Sequence, residues 1–202
     1  MESQLLLPAL YLPPVSYFHV IHTTDSPIVL DQHEHFPKQT YRTRTTIGTA
    51  NGRLDLIVPI VHGRRERRAM KDTLINYEFD WQRLHWLSLQ TAYRSSAYFE
   101  FYEDDFARFY ETKYEYLMDF NLQQLELILK CLKINRTISL SESFHPMKAE
   151  NEYRTAIHPK KNSVWEKHTP YYQVFESMTG FIPDLSIIDL LFNQGPQSKS
   201  YL

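Results

Sequence analysis

The stretch "HFPKQTYRTRTTIGTANGRLDLIVPI", residues 35–60, predicts a β-hairpin around which the fold is organised. Asn51-Gly52 is a strong turn signal, because both central residues of a type I′ turn adopt positive φ. Two segments of strand-like composition, residues 38–47 and 53–61, flank this turn. The sequence therefore predicts two antiparallel strands with their register set by the turn.

Three cations share one face of the first predicted strand. Lys38, Arg42 and Arg44 occupy even positions, so their side chains are expected on the same side. A turn centred on Asn51-Gly52 would place Arg44 opposite Pro59 and Arg42 opposite Val61. The other face is expected to be buried and carries Thr43, Thr45, Ile47, Leu56, Val58 and Ile60.

The composition argues against a general polyanion binder. The 202 residues include 22 Lys+Arg and 24 Asp+Glu, a formal net charge of -2, so the three cations must serve a local purpose. An apolar fraction of 43% supplies the core of one domain over residues 1–202. The acidic Glu2 and the early Pro8 do not match a signal peptide, and no apolar run reaches the ~20 residues of a membrane span. We expect a cytoplasmic protein.

The order of the remaining patterns indicates an α/β or α+β domain, in which a small mixed sheet from the N-terminal third is packed by C-terminal helices. The predicted strands are 4–12, "PIVLDQ" at 27–32, "TLINYEF" at 73–79 and "TISLS" at 137–141. Helices are predicted after Pro14, from residue 81 after an Asp80 N-cap, over 104–118, after Asp119 and over 187–194. For the last helix, Ser186 and Asp189 form an S-x-x-D capping box.

The trio of cations suits a phosphate or carboxylate. Arg42 and Arg44 would lie ~7 Å apart and Lys38 ~13 Å from Arg42, so that arginine forks hold the anion with a lysine further along. The alternative is an ordinary solvated sheet face. His85 shares a helix face with apolar residues, which fits either a core histidine or an acid/base.

Other polar clusters favour structural or solvated roles. "DQHEH" offers His33, Glu34 and His35, but lacks a further ligand at defined spacing, so we predict no metal site there. The arginines of residues 64–68 are typical of a solvated loop. No nucleotide-binding glycine motif occurs, the sequence indicates no particular cofactor, and a wide basic surface for nucleic acid is not expected.

Several stretches in the same order resemble the WbqC-like family, especially its Bacteroidetes branch. They are "LPALYLPPVSYF", "DQHEHFPKQTYRTRTTI", "LIVPI", "DWQRLHWLSLQTAYRSSAYFEFYEDDF" and "GFIPDLSIIDLLFNQGP". The resemblance implies a bacterial cytoplasmic protein of O-antigen-type surface polysaccharide precursor biosynthesis, without an established reaction. It matches the family's cations at Lys38, Arg42 and Arg44, its aromatic positions at Tyr11 and Tyr17, and its histidine and following tyrosine at His85 and Tyr93. The family's opening Gln is replaced here by Leu7 and the Asn between its arginines by Thr43.

Two functions follow from these observations. In the first, the chain is a ligand-binding protein or a transferase acting on an activated sugar or a similar anionic metabolite. Lys38, Arg42 and Arg44 bind the anion, Tyr11, Tyr17 and Tyr93 line the site, and His85 is the acid/base. On this view Arg42→Ala abolishes binding and leaves thermal stability nearly unchanged. In the alternative, the chain is a non-catalytic scaffold of glycan assembly, with partner surfaces at "YLPPVSYF" (11–18) and "AYFEFY" (97–102). The oligomeric state is not indicated.

Overall fold

In the part of the chain that the structure describes, two small sheets and six helices form the fold, which confirms the mixed α/β class. A computed structural model describes residues 4–62, 68–144 and 152–202. The strands are β1 (Leu5–Leu7), β2 (Ile28–Leu30), β3 (Arg44–Thr49), β4 (Gly52–Ile57) and β5 (Ile138–Leu140). The helices are α1 (Val15–Thr23), α2 (Trp81–Tyr93), α3 (Phe99–Glu111), α4 (Leu117–Cys131), α5 (Glu176–Thr179) and α6 (Ile187–Gln194), with 3-10 turns at Met70–Asp72 and Gly195–Tyr201.

The first sheet is parallel, with strand order β1-β2-β5. Its first two strands are short, nearly continuous apolar runs, as expected for parallel strands that are covered on both faces. The predicted strand 4–12 is wrong in length, because only residues 5–7 pair with a neighbour and residues 8–14 lead into α1 without strand structure. Because the three strands are parallel, their carboxyl ends lie at one edge of the sheet, next to Asp31 and Ser141.

The predicted hairpin exists, but its predicted register is wrong by two residues. Arg44 pairs with Ile57 and Thr49 with Gly52, so the turn is centred on Ala50-Asn51. Only Gly52 has positive φ there, at 95°, so the turn is not the predicted type I′, in which both central residues have positive φ. A shift of two residues preserves the faces of a strand, because side chains alternate with period two. The expected inner face is accordingly buried, except for the half-buried Ile60.

The start of the first hairpin strand is also corrected. β3 begins at Arg44, whereas Lys38 and Arg42 lie in the irregular segment before it. Thr43 closes a turn there by donating its backbone N–H to the Thr40 carbonyl at 3.2 Å. The three cations therefore do not share one strand face.

The helices cover the hairpin and the parallel sheet with an aromatic core. α6 is buried on every side, as its apolar sequence predicts, and Phe192 makes edge contacts with Tyr93, Phe99 and Phe106. The helix predicted at 104–118 instead ends at Glu111. Tyr77 is the reason, since its hydroxyl donates to the Tyr114 carbonyl at 2.9 Å and accepts from the Tyr114 N–H at 2.8 Å.

The predicted strand at 73–79 is wrong, and the predicted arginine loop falls mostly outside the described residues. The segment 73–79 forms only isolated bridges, at Leu74 and Ile75, and no strand. The arginine loop of residues 64–68 lies outside the described residues except for Arg68. In the described parts of the chain, no helix has the length and apolarity needed to span a membrane. The assignment of residues 1–202 to one domain stays a prediction.

Candidate functional site

Arg42 is buried in an ion pair. Its side chain is 1% exposed, and its Nε and Nη2 atoms each lie 2.6 Å from a carboxylate oxygen of Glu34. Nη2 also donates to the Arg154 carbonyl at 3.0 Å. This bidentate pair uses the donors that a ligand would need, so Arg42 supports the fold from the inside.

The ion pair belongs to a larger buried network at the carboxyl edge of the parallel sheet. Arg154 is paired with Asp31, which directly follows β2, and with Glu152 at 2.6 Å. The Asp31 carboxylate also accepts the Ser141 hydroxyl at 2.9 Å. The hydrogen bonds that Arg154 donates to the Glu152 carboxylate are the main cause that raises the pKa of Arg154 above its usual value. The network fixes the start of the segment that follows residue 152.

His85, Tyr11 and Tyr110 form a second, separate buried chain. The Tyr11 hydroxyl is hydrogen-bonded to His85 Nδ1 and to the Tyr110 hydroxyl, both at 2.9 Å. Burial lowers the pKa of His85 to about 4, against a smaller opposing effect of a hydrogen bond to the Ile57 backbone. At neutral pH the imidazole is uncharged and has partners within the core, and its acid/base role stays a prediction.

The predicted site residues therefore do not come together in one site. The Tyr17 hydroxyl donates to the Pro8 carbonyl at 2.9 Å, whereas the Tyr93 hydroxyl accepts the Gly48 N–H at 3.4 Å, near α6. Lys38 is exposed, and half-buried Arg44 lies 3.8 Å from Asp55. Of the predicted cations, only Lys38 and Arg44 face solvent.

A groove on the surface brings together cations that sequence analysis missed. Its volume is about 600 Å³. We call it the cationic groove; its lining includes Tyr41, Arg53, Lys161, Ser163, Trp165, Glu166, Lys167, His168, Phe181, Pro183 and Asp184. Three permanent cations thus face two carboxylates and several rings. The Asp184 carboxylate accepts the N–H and the hydroxyl of Ser16 at 2.8 and 2.9 Å, and burial together with this negative charge raises the pKa of Tyr41 in the groove.

The elements around the groove explain its position. Tyr41 precedes Arg42, so the buried ion pair fixes the backbone that presents the Tyr41 ring. Arg53 lies on the exposed side of β4, and its Nη2 donates to the Pro183 carbonyl at 2.9 Å. Lys161 Nζ donates to the Thr155 carbonyl at 2.8 Å, which leaves further N–H donors of the ammonium for a ligand.

Several positive charges lie close together beside the groove, and their combined effect is seen at His158. Partial burial and then the positive charges of nearby residues lower the pKa of His158; in order of effect these are Lys161, Lys160, Arg42 and Arg44. Arg44 therefore contributes to the same field, although it does not share a face with Arg42. This local concentration of positive charge occurs on a chain with a net charge of -2.

The rings of the groove are held by stacking. Trp165 stacks on His19 with ring centroids 4.1 Å apart and planes at 2°. His168 packs against the same indole at 4.6 Å, and its Nε2 lies 3.2 Å from the Ser163 hydroxyl. Burial is the main cause that lowers the pKa of His168 below its usual value. The groove therefore contains an imidazole with a lowered pKa beside the Ser163 hydroxyl.

The sequence contained a signal for this groove in the segment "PKKNSVWEKH", residues 159–168. Cations alternate there with an aromatic residue, yet the segment has no regular period, so no element could be assigned to it. The partners Tyr41 and Arg53 are more than a hundred residues away in the chain. Only the tertiary structure brings the two parts together.

Asp189 is a second residue whose environment sequence analysis missed. The predicted capping box is wrong, because the Ser186 N–H donates to the Thr46 carbonyl at 2.8 Å and the Ser186 hydroxyl to the Leu12 carbonyl at 3.0 Å. The Asp189 carboxyl is thereby released from a capping role and is 1% exposed. Burial raises its pKa to about 8.

The polar side chains of the "DQHEH" segment contact different parts of the protein. Glu34 turns inward to Arg42, whereas His35 is exposed with its ring 6.1 Å from Phe144. Within the ranges 4–62, 68–144 and 152–202, no three His, Cys, Asp or Glu side chains come together as a metal site.

The proposed partner surfaces of the scaffold alternative are mostly buried. Residues 11–18 contain no exposed side chain, and Tyr17 and Phe18 are fully buried. In residues 97–102, the exposed ring is that of Phe101, at 72%. Neither stretch is the aromatic surface on which the alternative depended.

The fold and the groove define a mixed α/β protein with a cation- and aromatic-lined surface groove. The model of the WbqC-like protein family matches residues 9–162, so the chain belongs to that family. The match does not assign a branch, and the Bacteroidetes branch stays a prediction. The matched range includes Tyr41, Arg53 and Lys161 and ends before Trp165.

The chain is also similar to "Uncharacterized protein Rv1507c" of Mycobacterium tuberculosis (strain ATCC 25618 / H37Rv). The two are 26% identical over 230 residues, which cover 100% of this chain and 98% of that protein. No solved structure gives a significant match.

Proposed function

We propose that the protein binds an anionic small metabolite in the cationic groove. The observation that carries this proposal is the convergence of Arg53, Lys161 and Lys167 with the rings of Tyr41 and Trp165 around one open volume. Phosphate and carboxylate oxygens are the natural partners of such cations, and flat rings suit the apolar face of an attached group. The groove volume of about 600 Å³ is within the range of small-molecule sites.

The ligand class that fits best is an activated sugar. Its phosphates satisfy the cations, and its sugar or base ring packs on the aromatic side chains. The resemblance of the sequence to a family named from surface-polysaccharide gene clusters favours a precursor of such glycans over other anions. The proposal retains the cytoplasmic location expected from the sequence.

The predicted anion-binding residues keep a reduced role in this proposal. Arg44 adds positive charge near the groove, Arg42 holds the backbone that presents Tyr41, and Lys38 does not line the groove. A transferase acting on the bound precursor is the enzymatic form of the proposal. In that form His168, next to the Ser163 hydroxyl, is the side chain best placed to move a proton.

A thermal-shift panel tests the proposal, with pyrophosphate, glucose 1-phosphate, UDP and UDP-glucose as probes. A ligand at 100 times its Kd stabilises a folded protein by ~2.7 kcal/mol. For a chain of this length, that raises the Tm by roughly 5–11 °C. At least one probe is expected to reach this range.

Matched variants locate the binding. Arg53→Ala and Lys161→Ala are each expected to weaken the best probe by about 10- to 100-fold, since a hydrogen bond to a charged group contributes about 1.5–3 kcal/mol. Arg83→Ala is the control, because Arg83 is an exposed cation on α2 that does not line the groove. The proposal fails if no probe raises the Tm, or if the control weakens binding as much as Arg53→Ala does.

A further inference from the structure

A small cavity lies beneath the chain segment that forms one wall of the cationic groove. Its volume is about 10 Å³, which is the space that one water molecule needs. We call it the Asp189 cavity; its lining includes Gly48, Tyr93, Gln173, Val174, Phe175, Thr179, Ile182, Leu185 and Asp189. Side chains from β3, α2 and α6 therefore meet there.

The polar groups of this cavity are incompletely used. Asp189 Oδ2 is buried without a hydrogen-bond partner among the described residues. The Tyr93 hydroxyl accepts only a long bond, 3.4 Å from the Gly48 N–H, so its own proton is available. Buried polar atoms are normally paired, and an exception at a cavity indicates a missing partner.

One segment separates the cavity from the groove. We call residues 181–185 the strap; Phe181, Pro183 and Asp184 line the groove, while Ile182 and Leu185 line the cavity. Tyr171 connects the two sides, because its ring packs against Phe181 at 5.4 Å and its hydroxyl accepts Gln173 Nε2 at 3.3 Å.

The strap carries an unusual backbone and is anchored by hydrogen bonds, which join Gln173 to both backbone groups of Ile182, Ser16 to Asp184 and Val15 to the Leu185 carbonyl. Gly180 just before it has a φ of 70°, and Asp184 within it has a φ of 55°. A left-handed conformation is costly for a residue other than glycine. The Arg53 side chain, a groove cation, donates to the strap at the Pro183 carbonyl. A ligand that engages Arg53 therefore competes directly with a bond that holds the strap in place.

We infer that the Asp189 cavity is a buried subsite of the groove, which accepts one hydroxyl group of the bound metabolite after the strap moves aside. This inference rests on the proposed function of the groove. Asp189 and Tyr93 are the hydrogen-bond partners of that group, which supplies the partner that Asp189 Oδ2 lacks. The subsite selects the sugar portion of the ligand, while the groove cations bind its phosphates. Such a site rejects ligands that lack the group, because its own polar atoms would stay unpaired.

Binding of UDP and of UDP-sugars separates the two roles. The probes are UDP, UDP-glucose, UDP-galactose and UDP-N-acetylglucosamine, titrated calorimetrically into the full chain. In the wild type, at least one UDP-sugar is expected to bind tenfold or more tightly than UDP. In Asp189→Asn and Tyr93→Phe that advantage should shrink towards unity, with the affinity for UDP unchanged.

Gly48→Ala provides a steric version of the same test. A Cβ at Gly48 would lie 3.9 Å from Asp189 Oδ1 and 3.0 Å from the end of the Leu185 side chain, so it fills the cavity without a backbone clash. This variant should also lose the UDP-sugar advantage and keep UDP binding. The inference is overturned if no UDP-sugar exceeds UDP, or if the advantage survives in all three variants. Loss of UDP binding itself in the wild type would instead refute the groove proposal.

Discussion

Arg42→Ala is expected to destabilise the protein strongly, contrary to the nearly unchanged stability expected from the sequence. The substitution removes both donors of the bidentate pair and leaves Glu34, which is 6% exposed, as an uncompensated buried carboxylate. It also takes the donor from the Arg154 carbonyl. Breaking a buried pair on one side costs about 3–5 kcal/mol. With about 2–4 °C per kcal/mol for a chain of this length, the Tm should fall by roughly 6–20 °C.

Urea unfolding and calorimetry measure this effect, with Arg44→Ala as the matched control. Arg44 is two residues away, and its contact with the exposed Asp55 is long, at 3.8 Å, so its removal should cost clearly less than the removal of Arg42. Adding Glu34→Gln to Arg42→Ala should recover part of the loss, because the unpaired charge is then absent. A Tm for Arg42→Ala within 2 °C of the wild type would refute the structural role of the pair.

Three further predictions concern buried groups and glycines. Burial raises the pKa of Asp189 to about 8, so the folded state binds more protons than the unfolded state between pH ~4 and ~8. The free energy of unfolding, measured by urea titration, should therefore fall by several kcal/mol as the pH rises through that window. The fall should be much smaller in Asp189→Asn. Burial lowers the pKa of His85 to about 4, so the opposite slope is expected, with stability lost as the pH falls from ~6.5 to ~4, and His85→Gln should weaken that acid sensitivity. Gly195→Ala should lower the free energy of unfolding by about 2 kcal/mol or more, because its Cβ would clash with the Tyr98 ring at a backbone φ of 52°. Gly52→Ala has nothing within 4 Å of its Cβ and should lose only the free energy of its backbone strain. Equal Tm values for the two variants would contradict this prediction.

Local sequence signals predicted much of the fold. The apolar runs at β1, β2 and β5, the amphipathic pattern of α2 and the fully apolar α6 correspond to elements of the structure. The hairpin was identifiable from Asn51-Gly52, but its register was not, because Gly52 alone adopts positive φ. A turn signal identifies a hairpin more reliably than it identifies the turn type.

The sequence did not show where the predicted site residues lie in the fold. A cation at an even strand position is expected to face solvent, and nothing local in the sequence shows that Arg42 turns inward to Glu34, eight residues before it. The Asp189 capping box failed for a similar reason, since Ser186 is bonded by Thr46 and Leu12 from distant parts of the chain. Long-range partners override local motifs in both cases.

The cationic groove illustrates the same limit on the ligand side. An anionic ligand was predicted from Lys38, Arg42 and Arg44, whereas the groove proposed to bind it is lined by the cations Arg53, Lys161 and Lys167. Arg53 and Lys161 are separated by more than a hundred residues. Their convergence depends on the segment that Arg154 anchors at the edge of the parallel sheet.

Tryptophan indole signals provide the most direct test of binding in the groove. The chain has three tryptophans: Trp165 lines the groove, while Trp81 and Trp86 lie on α2. In a ¹⁵N–¹H spectrum of the labelled protein, titration with UDP is expected to shift the Trp165 indole signal in a saturable manner, with the other two unchanged. The shift should be lost in Arg53→Ala and kept in Arg83→Ala. Saturable shifts confined to Trp81 or Trp86, or no shift at Trp165 at millimolar UDP, would contradict anion binding in the groove.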